Sequence, residues 1–119
     1  MCERYKIPRA RVTVIPRCVD TMTYAPNSVP QPRIDALYRT WQIRPGERIV
    51  VVPGRVAPWN GQMSIVETAQ LLVQGGMQGV VFVLIGEDQT QHRYARSILT
   101  KAQELGVDDI VRLTGHCAD

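Results

Sequence analysis

The sequence predicts an α/β protein: a Rossmann-like, three-layer parallel sheet that is incomplete, one βαβαβ half of a doubly wound fold. Three apolar, β-branched runs, RIVVVPG, VVFVLIG and DIVRLTG, follow one another from Arg48 onward, and each ends at a glycine. Runs that are apolar on both faces suit strands buried in a parallel sheet. Two segments with apolar residues at helical spacing separate the runs, and each of these also stops at glycine. Parallel strands of one sheet need crossovers, almost always right-handed, so the order strand, helix, strand, helix, strand makes one half of a doubly wound sheet.

The first third of the chain is of another kind. Pro8, Pro16, Pro26, Pro30 and Pro32 punctuate it, only VTVI at Val12 to Ile15 reads as a strand, and the rest reads as linker. Ile34, Leu37, Tyr38 and Trp41 then fall on one face of a short helix, and RPGE at Arg44 to Glu47 turns the chain into the first sheet strand. Beyond that strand, Ile65, Val66, Ala69, Leu72 and Val73 mark an amphipathic helix that stops at Gly75-Gly76. Tyr94, Ile98, Ala102 and Leu105 mark the next, which stops at Gly106. Two regions result: 1–46, with one strand and one short helix, and 47–119, the sheet proper. The chain stops a few residues after its third strand, so the expectation is a piece of a longer protein. Self-association through the unfinished sheet edge is expected to follow, because an unpaired edge strand templates association.

A chain of 119 residues, 45% hydrophobic and 21% charged, suits one globular unit with its own core. It contains no apolar stretch near the roughly 18 residues that a membrane span requires. The start, MCERYKIPRARVTV, mixes basic and apolar residues without a continuous apolar core or a small-residue cleavage site, so a cytoplasmic protein is expected. Cys2, Cys18 and Cys117 are odd in number, widely spaced and in no C-x-x-C pattern, which argues for free thiols over disulfides or zinc. The net charge of +3 comes mostly from the first half, with Arg4, Arg9, Arg11, Arg17 and Arg33. It fits an anionic partner or, more plainly, a solvated basic surface.

Ligands of open α/β sheets bind outside the carboxyl ends of the strands, which singles out the loops Gly54 to Gly61, Gly86 to Gln89 and Gly115 to Asp119. The first is not a Walker A loop, because no Lys-Ser/Thr follows Gly61, and it is not G-x-G-x-x-G. It has Gly54 at the strand end, which allows close backbone approach, Arg55 directly after it, and a helix N-terminus opening near Gly61. A guanidinium with five donors beside free helix N–H groups makes a diphosphate clamp. The rival for Arg55 is a surface arginine in a tight turn. Trp59 by default covers the edge of the core, with ligand stacking as the rival. Glu87 and Asp88 form an acidic pair open to acid/base chemistry, but capping of the following helix by Asp88 or Thr90 explains them more simply. His116 either touches a ligand or stands idle, and its neighbour Cys117 makes no catalytic dyad by adjacency alone.

Four segments together carry a resemblance. VTVIPRCVDT resembles V-x-V-I-P-N/R-G-V-D, and VVVPGRVAPWNGQ resembles G-R-x(4)-K-G-Q, of retaining nucleotide-sugar glycosyltransferases with the GT-B fold. VFVLIGEDQ and VRLTGHCAD are similar to the next two strand-loop signatures of that family, in the same order and at similar spacing. The match runs from about Val12 to Asp119 and is nearest to bacterial cell-envelope members. It implies that 1–46 is an interdomain segment and 47–119 the first half of the nucleotide-sugar-binding domain. Gly54, Arg55, Asn60 and Gly61 would meet the donor's diphosphate, and Gly86, Gly115 and His116 would lie near the nucleotide base. The partners implied are a nucleoside-diphosphate sugar and, through the absent domain, a carbohydrate or lipid-linked acceptor of the cell-envelope polysaccharide or lipopolysaccharide type. No nucleic acid, metal or cofactor is implied. A peripheral place at the inner membrane would suit the full-length protein.

Two positions depart from the family pattern. Asn60 stands where the motif has lysine, which removes a charge-assisted hydrogen bond of about 1.5 to 3 kcal/mol. Cys18 stands where the pattern has glycine, and a Cβ costs energy there if the backbone needs positive φ. The family's E-x(7)-E pair would lie beyond Asp119, so no catalytic residue falls within this chain, and the 119-residue piece is expected to be inactive alone. The alternatives are a non-catalytic or degenerate nucleotide-binding module of the same fold, and an unrelated Rossmann-like nucleotide binder.

Overall fold

The computed structural model describes Arg4, residues 6–88 and residues 92–117. The chain divides into two compact units, Met1–Arg33 and Ile34–Asp119.

In the first unit, a single 3₁₀ turn at Arg9–Arg11 precedes extended chain. VTVI is the clearest departure from expectation, since Val12 to Ile15 form no strand, and Val14 and Ile15 are 84% and 86% exposed. Extended backbone becomes a strand only when a neighbouring strand takes up its N–H and C=O groups, and here the Val12 N–H closes the preceding turn on the Arg9 carbonyl while no described strand pairs with the segment. Cys18 is not at positive φ, so its Cβ carries no left-handed strain. Beyond it, Asp20 organises a turn. Its Oδ1 accepts the Met22 N–H at 2.9 Å and its Oδ2 the Thr23 hydroxyl at 2.7 Å. The Thr23 hydroxyl and then the Met22 and Thr23 N–H groups favour the charged form, holding this exposed carboxyl below the ordinary aspartate value.

In the second unit the predicted alternation is present. Helix α1 (Gln31–Thr40), which belongs to this unit from Ile34 onward, leads into β1 (Arg48–Pro53), α2 (Gln62–Gln74), β2 (Val80–Ile85), α3 (Arg93–Glu104) and β3 (Val111–Gly115). The sheet order is β1-β2-β3, with both pairings parallel. β1 runs in register from Arg48 beside Val80 to Pro53 beside Ile85. β3 slips between Leu84 and Ile85, so that Ile85 faces Gly115. RPGE forms the expected turn, with the Glu47 N–H on the Arg44 carbonyl at 3.1 Å and the Glu47 carboxylate returning to the Arg44 N–H at 2.7 Å.

All three helices end in the same double hydrogen bond. In α2 the N–H groups of Gly76 and Met77 reach back to Val73 and Leu72, and in α3 those of Gly106 and Val107 reach Gln103 and Ala102. In α1 the corresponding left-handed residue is Gln42, at φ 54, a conformation that glycine adopts more cheaply. The Arg112 guanidinium holds this end in place, donating through Nη1 to the carbonyls of Trp41 and Gln42 and through Nη2 to that of Asp109.

Alternation along β2 sends Val80, Phe82 and Leu84 to one face, where they pack with Val66 and Ala69 of α2 and Ile98 and Ala102 of α3. Burial of each such aliphatic or aromatic side chain stabilises by roughly 1.5 to 3 kcal/mol. Val81 and Val83 point the other way and are buried as well, so both faces of β2 are covered, as a doubly apolar run requires. Arg112 is the register partner of Val83 and so shares its face, which places the end of α1 on that side. β1 is different: it lies at the sheet edge, with Val50 and Val51 substantially exposed. Tyr38 of α1 is 43% exposed, while Ile34, Leu37 and Trp41 are more fully covered. Among the described residues, no helix is long and apolar enough to cross a membrane.

Candidate functional site

The carboxyl ends of the three strands are joined by backbone. Past the end of β1, the Gly54 N–H donates to the Ile85 carbonyl at 2.8 Å and the Val56 N–H to the Glu87 carbonyl at 3.0 Å. Past the end of β2, the Gly86 N–H donates to the Gly115 carbonyl at 2.9 Å. Val56 and Asp88 add a parallel bridge beyond the ladder. The three loops singled out from the sequence therefore meet. Gly86 is what permits it, since a Cβ there would lie 1.9 Å from the Gly54 carbonyl oxygen and 2.6 Å from its carbon. No side chain can occupy that position without separating the two loops.

The loop after β1 is anchored at Val56 and Ala57, both buried, and then makes a 3₁₀ turn over Pro58–Asn60. Two amides converge on one carbonyl within it. Asn60 Nδ2 and Gln62 Nε2 donate to the Arg55 carbonyl oxygen at 2.7 and 2.9 Å. Asn60, expected at the diphosphate, thus directs its amide to its own loop. The Arg55 side chain is exposed. Helix α2 starts after Gly61 with no side-chain cap, and its backbone ladder begins with the Ile65 N–H on the Gly61 carbonyl at 3.2 Å. The N–H groups of its first turn, with their share of the helix dipole, are therefore available to an anion. Gln62 is buried, and its Oε1 has no hydrogen-bond partner.

Trp59 does not cover the core. It is 73% exposed at the crest of the 3₁₀ turn, against the packing role expected from its place beside the sheet.

Glu87 is exposed, whereas Asp88 accepts the Ala95 N–H at 2.9 Å through Oδ2. Ala95 is the third residue of α3, so Asp88 caps that helix from across the loop, which is the simpler of the two roles expected of it. Thr90, the other candidate cap, lies outside the described residues. A cavity of about 310 Å³ opens here, lined by Val56, Gly86, Asp88, His92, Gly115 and His116 among others. It gathers the three residues expected near a nucleotide base. Gly54, Arg55, Asn60 and Gly61 do not line it; their loop contributes Val56. His92 was not anticipated. It sits in the left-handed region at φ 64, immediately before α3, and the signal that could have found it is its place at the far end of the second loop. Two other cavities, of about 300 and 410 Å³, lie away from these loops, the first beside Gly79 and Ile110 and the second beside Gln42 and Arg112. Cys18 and Cys117 are not in disulfides, and among the described residues no three His, Cys, Asp or Glu side chains converge as metal ligands.

No family model matches the sequence, and no curated protein matches it. Solved structures do match in shape. A glycosyltransferase from Rickettsia africae superimposes with a TM-score of 0.85 at 17% identity, over 99% of this chain and 30% of that one. WaaG, a glycosyltransferase involved in lipopolysaccharide biosynthesis, does so at 0.68 and 16%, over 99% of this chain and 30% of its own. HepE from Anabaena, solved in complex with UDP and glucose, gives 0.64 and 19%, over 76% of this chain and 23% of its own. This chain thus spans less than a third of each of these proteins, and what it shares with them is the fold: an incomplete Rossmann-like sheet of the kind found in GT-B glycosyltransferases.

Proposed function

We propose that this chain is the donor-side portion of a retaining glycosyltransferase that moves a hexosyl group from a nucleoside-diphosphate sugar to a carbohydrate or lipid-linked acceptor. The observation that carries the reading is the composite site at the strand ends. Arg55 and the uncapped first turn of α2 stand on one loop, and that loop is bonded through its backbone to the loop bearing Gly86 and the cavity beside Gly115 and His116. An anion placed at the helix start would meet backbone N–H groups there, with the exposed Arg55 guanidinium supplied from the same loop. In a transfer reaction the same groups would stabilise the departing diphosphate, where negative charge develops as the glycosidic bond breaks. The base would occupy the adjacent cavity. The UDP and glucose bound by the fold neighbour HepE support this class of donor, and the role of WaaG supports an acceptor of the cell-envelope type.

In this proposal, 1–46 links the acceptor domain to the donor domain that starts at 47. The full-length enzyme works in the cytoplasm at the inner face of a membrane, without a metal or cofactor. The piece alone binds donor and does not turn it over.

Calorimetric titration with UDP and UDP-glucose tests the binding step. Both are expected to bind, and Arg55→Ala is expected to weaken both by about tenfold, the loss of one charge-assisted contact. Unchanged UDP affinity in that variant would remove Arg55 from the site. A second reading, a binding module without transfer, draws on Asn60, whose amide braces the loop where a lysine would bring a cation. Under that reading Asn60→Lys does not raise UDP affinity.

A further inference from the structure

Trp59 presents a large aromatic ring to water from a backbone that is held in several ways. Pro58 fixes φ at the turn entry, the Asn60 N–H bonds the Ala57 carbonyl at 3.0 Å, and two side-chain amides grip the Arg55 carbonyl. Val56 and Ala57 anchor the approach in the core, and buried Gln62 anchors the exit. The turn is therefore pre-organised. A ring displayed on such a turn adds contact area to a ligand at little further cost in backbone order. Tryptophan is among the residue types enriched where binding energy concentrates.

The neighbours of Trp59 define what it can bind. Arg55 lies four residues before it and the uncapped start of α2 three residues after it, so one short loop offers anion-binding groups and a flat apolar face together. A ligand that satisfies both carries an anionic group covalently next to a ring with an apolar face. A pyranose esterified to phosphate meets this description, because its axial C–H bonds lie well against the electron-rich face of an indole while its phosphate supplies the charge; a neutral saccharide engages the ring alone. We propose that Trp59 is a stacking platform for a pyranose ring, beside the anion site of the same loop. The proposal rests on the reading of residues 54–61 as a diphosphate site. The ring can come from the donor sugar or from a saccharide acceptor, and the probes below separate the two.

The 119-residue chain with Trp41→Phe leaves Trp59 as its only tryptophan, so its emission reports this ring alone. UDP, UDP-glucose and maltose serve as probes. A blue shift with UDP-glucose that UDP does not produce identifies the donor sugar on the ring, and a shift with maltose identifies an acceptor saccharide. In calorimetry Trp59→Ala is expected to reduce the affinity of the active sugar probe relative to UDP by about tenfold, with Trp59→Phe recovering part of the loss. The proposal is overturned if UDP alone shifts the emission as much as UDP-glucose, which would put a nucleobase on the ring. It is also overturned if no sugar shifts the emission, or if Trp59→Ala alters sedimentation while sugar affinities stay unchanged, the behaviour of a protein-interface anchor. Failure of the diphosphate reading shows separately, as UDP affinity insensitive to Arg55→Ala, and the maltose titration still reads Trp59 in that case.

Discussion

VTVI and VVFVLI are nearly interchangeable as local sequence, yet one is bare extended chain and the other is the most deeply buried strand of the protein. Val14 and Ile15 stand in water, while Val81, Val83 and Leu84 are wholly enclosed. β-Branched residues suit a pleated, covered surface but do not create one. VVFVLI has a parallel partner on each side and helices against it, and VTVI has none of these among the described residues. Strand formation here is a property of the neighbours.

The strongest attempt to break this contrast is Gly86→Ala, which puts a methyl group inside the distance of closest approach to the Gly54 backbone and prises β1 from β2 at the site. A loss of about 3 kcal/mol or more is expected by urea unfolding, in the range reserved for backbone collisions and broken cores. A second comparison pairs Leu84→Ala with Ile15→Ala. The first removes buried carbons from between two helices and should cost about 2 to 5 kcal/mol, and the second should fall within about 0.5 kcal/mol of wild type. Equal costs would mean that VTVI is covered in solution.

The smallest effect concerns Asp20. Its carboxyl lies below the ordinary aspartate value in the folded turn, so the contribution of the turn is present above the unfolded-state value and fades as pH falls through the folded one. The amide resonances of Met22 and Thr23 should follow that titration in NMR spectra, with global stability unmoved. A titration midpoint at or above the ordinary aspartate value would show that the turn does not form.

Most of the sheet unit was legible because its signals are local. Continuous apolar runs, helical spacing and glycines at the ends of strands and helices state the order of elements without reference to anything distant. What escaped depended on partners far along the chain. Tyr38 has the spacing of a buried face but stays exposed to water, and the end of α1 is held by Arg112, some seventy residues away. The loop after β1 was legible as an anion site in Gly54, Arg55 and the helix start. It was not legible that Asn60 would turn inward and Trp59 outward, since the 3₁₀ turn and two amides on one carbonyl decide both. His92 lies beyond the Gly86 to Gln89 loop, at the helix start, where no local motif marks it.

The junction of Gly54, Gly86 and Gly115 also bears on how far such a protein can drift. Its contacts run between amide N–H and carbonyl groups, which every residue type except proline supplies alike, and its side-chain demands fall on the three glycines themselves: Gly86 for the close approach, and Gly54 and Gly115 for their positive φ. Substitution can then replace almost every lining residue while the loops keep their spacing. A shape shared at a TM-score of 0.85 with only 17% of residues in common is what such a junction allows. The side chains set on this frame can change without the frame having to be rebuilt.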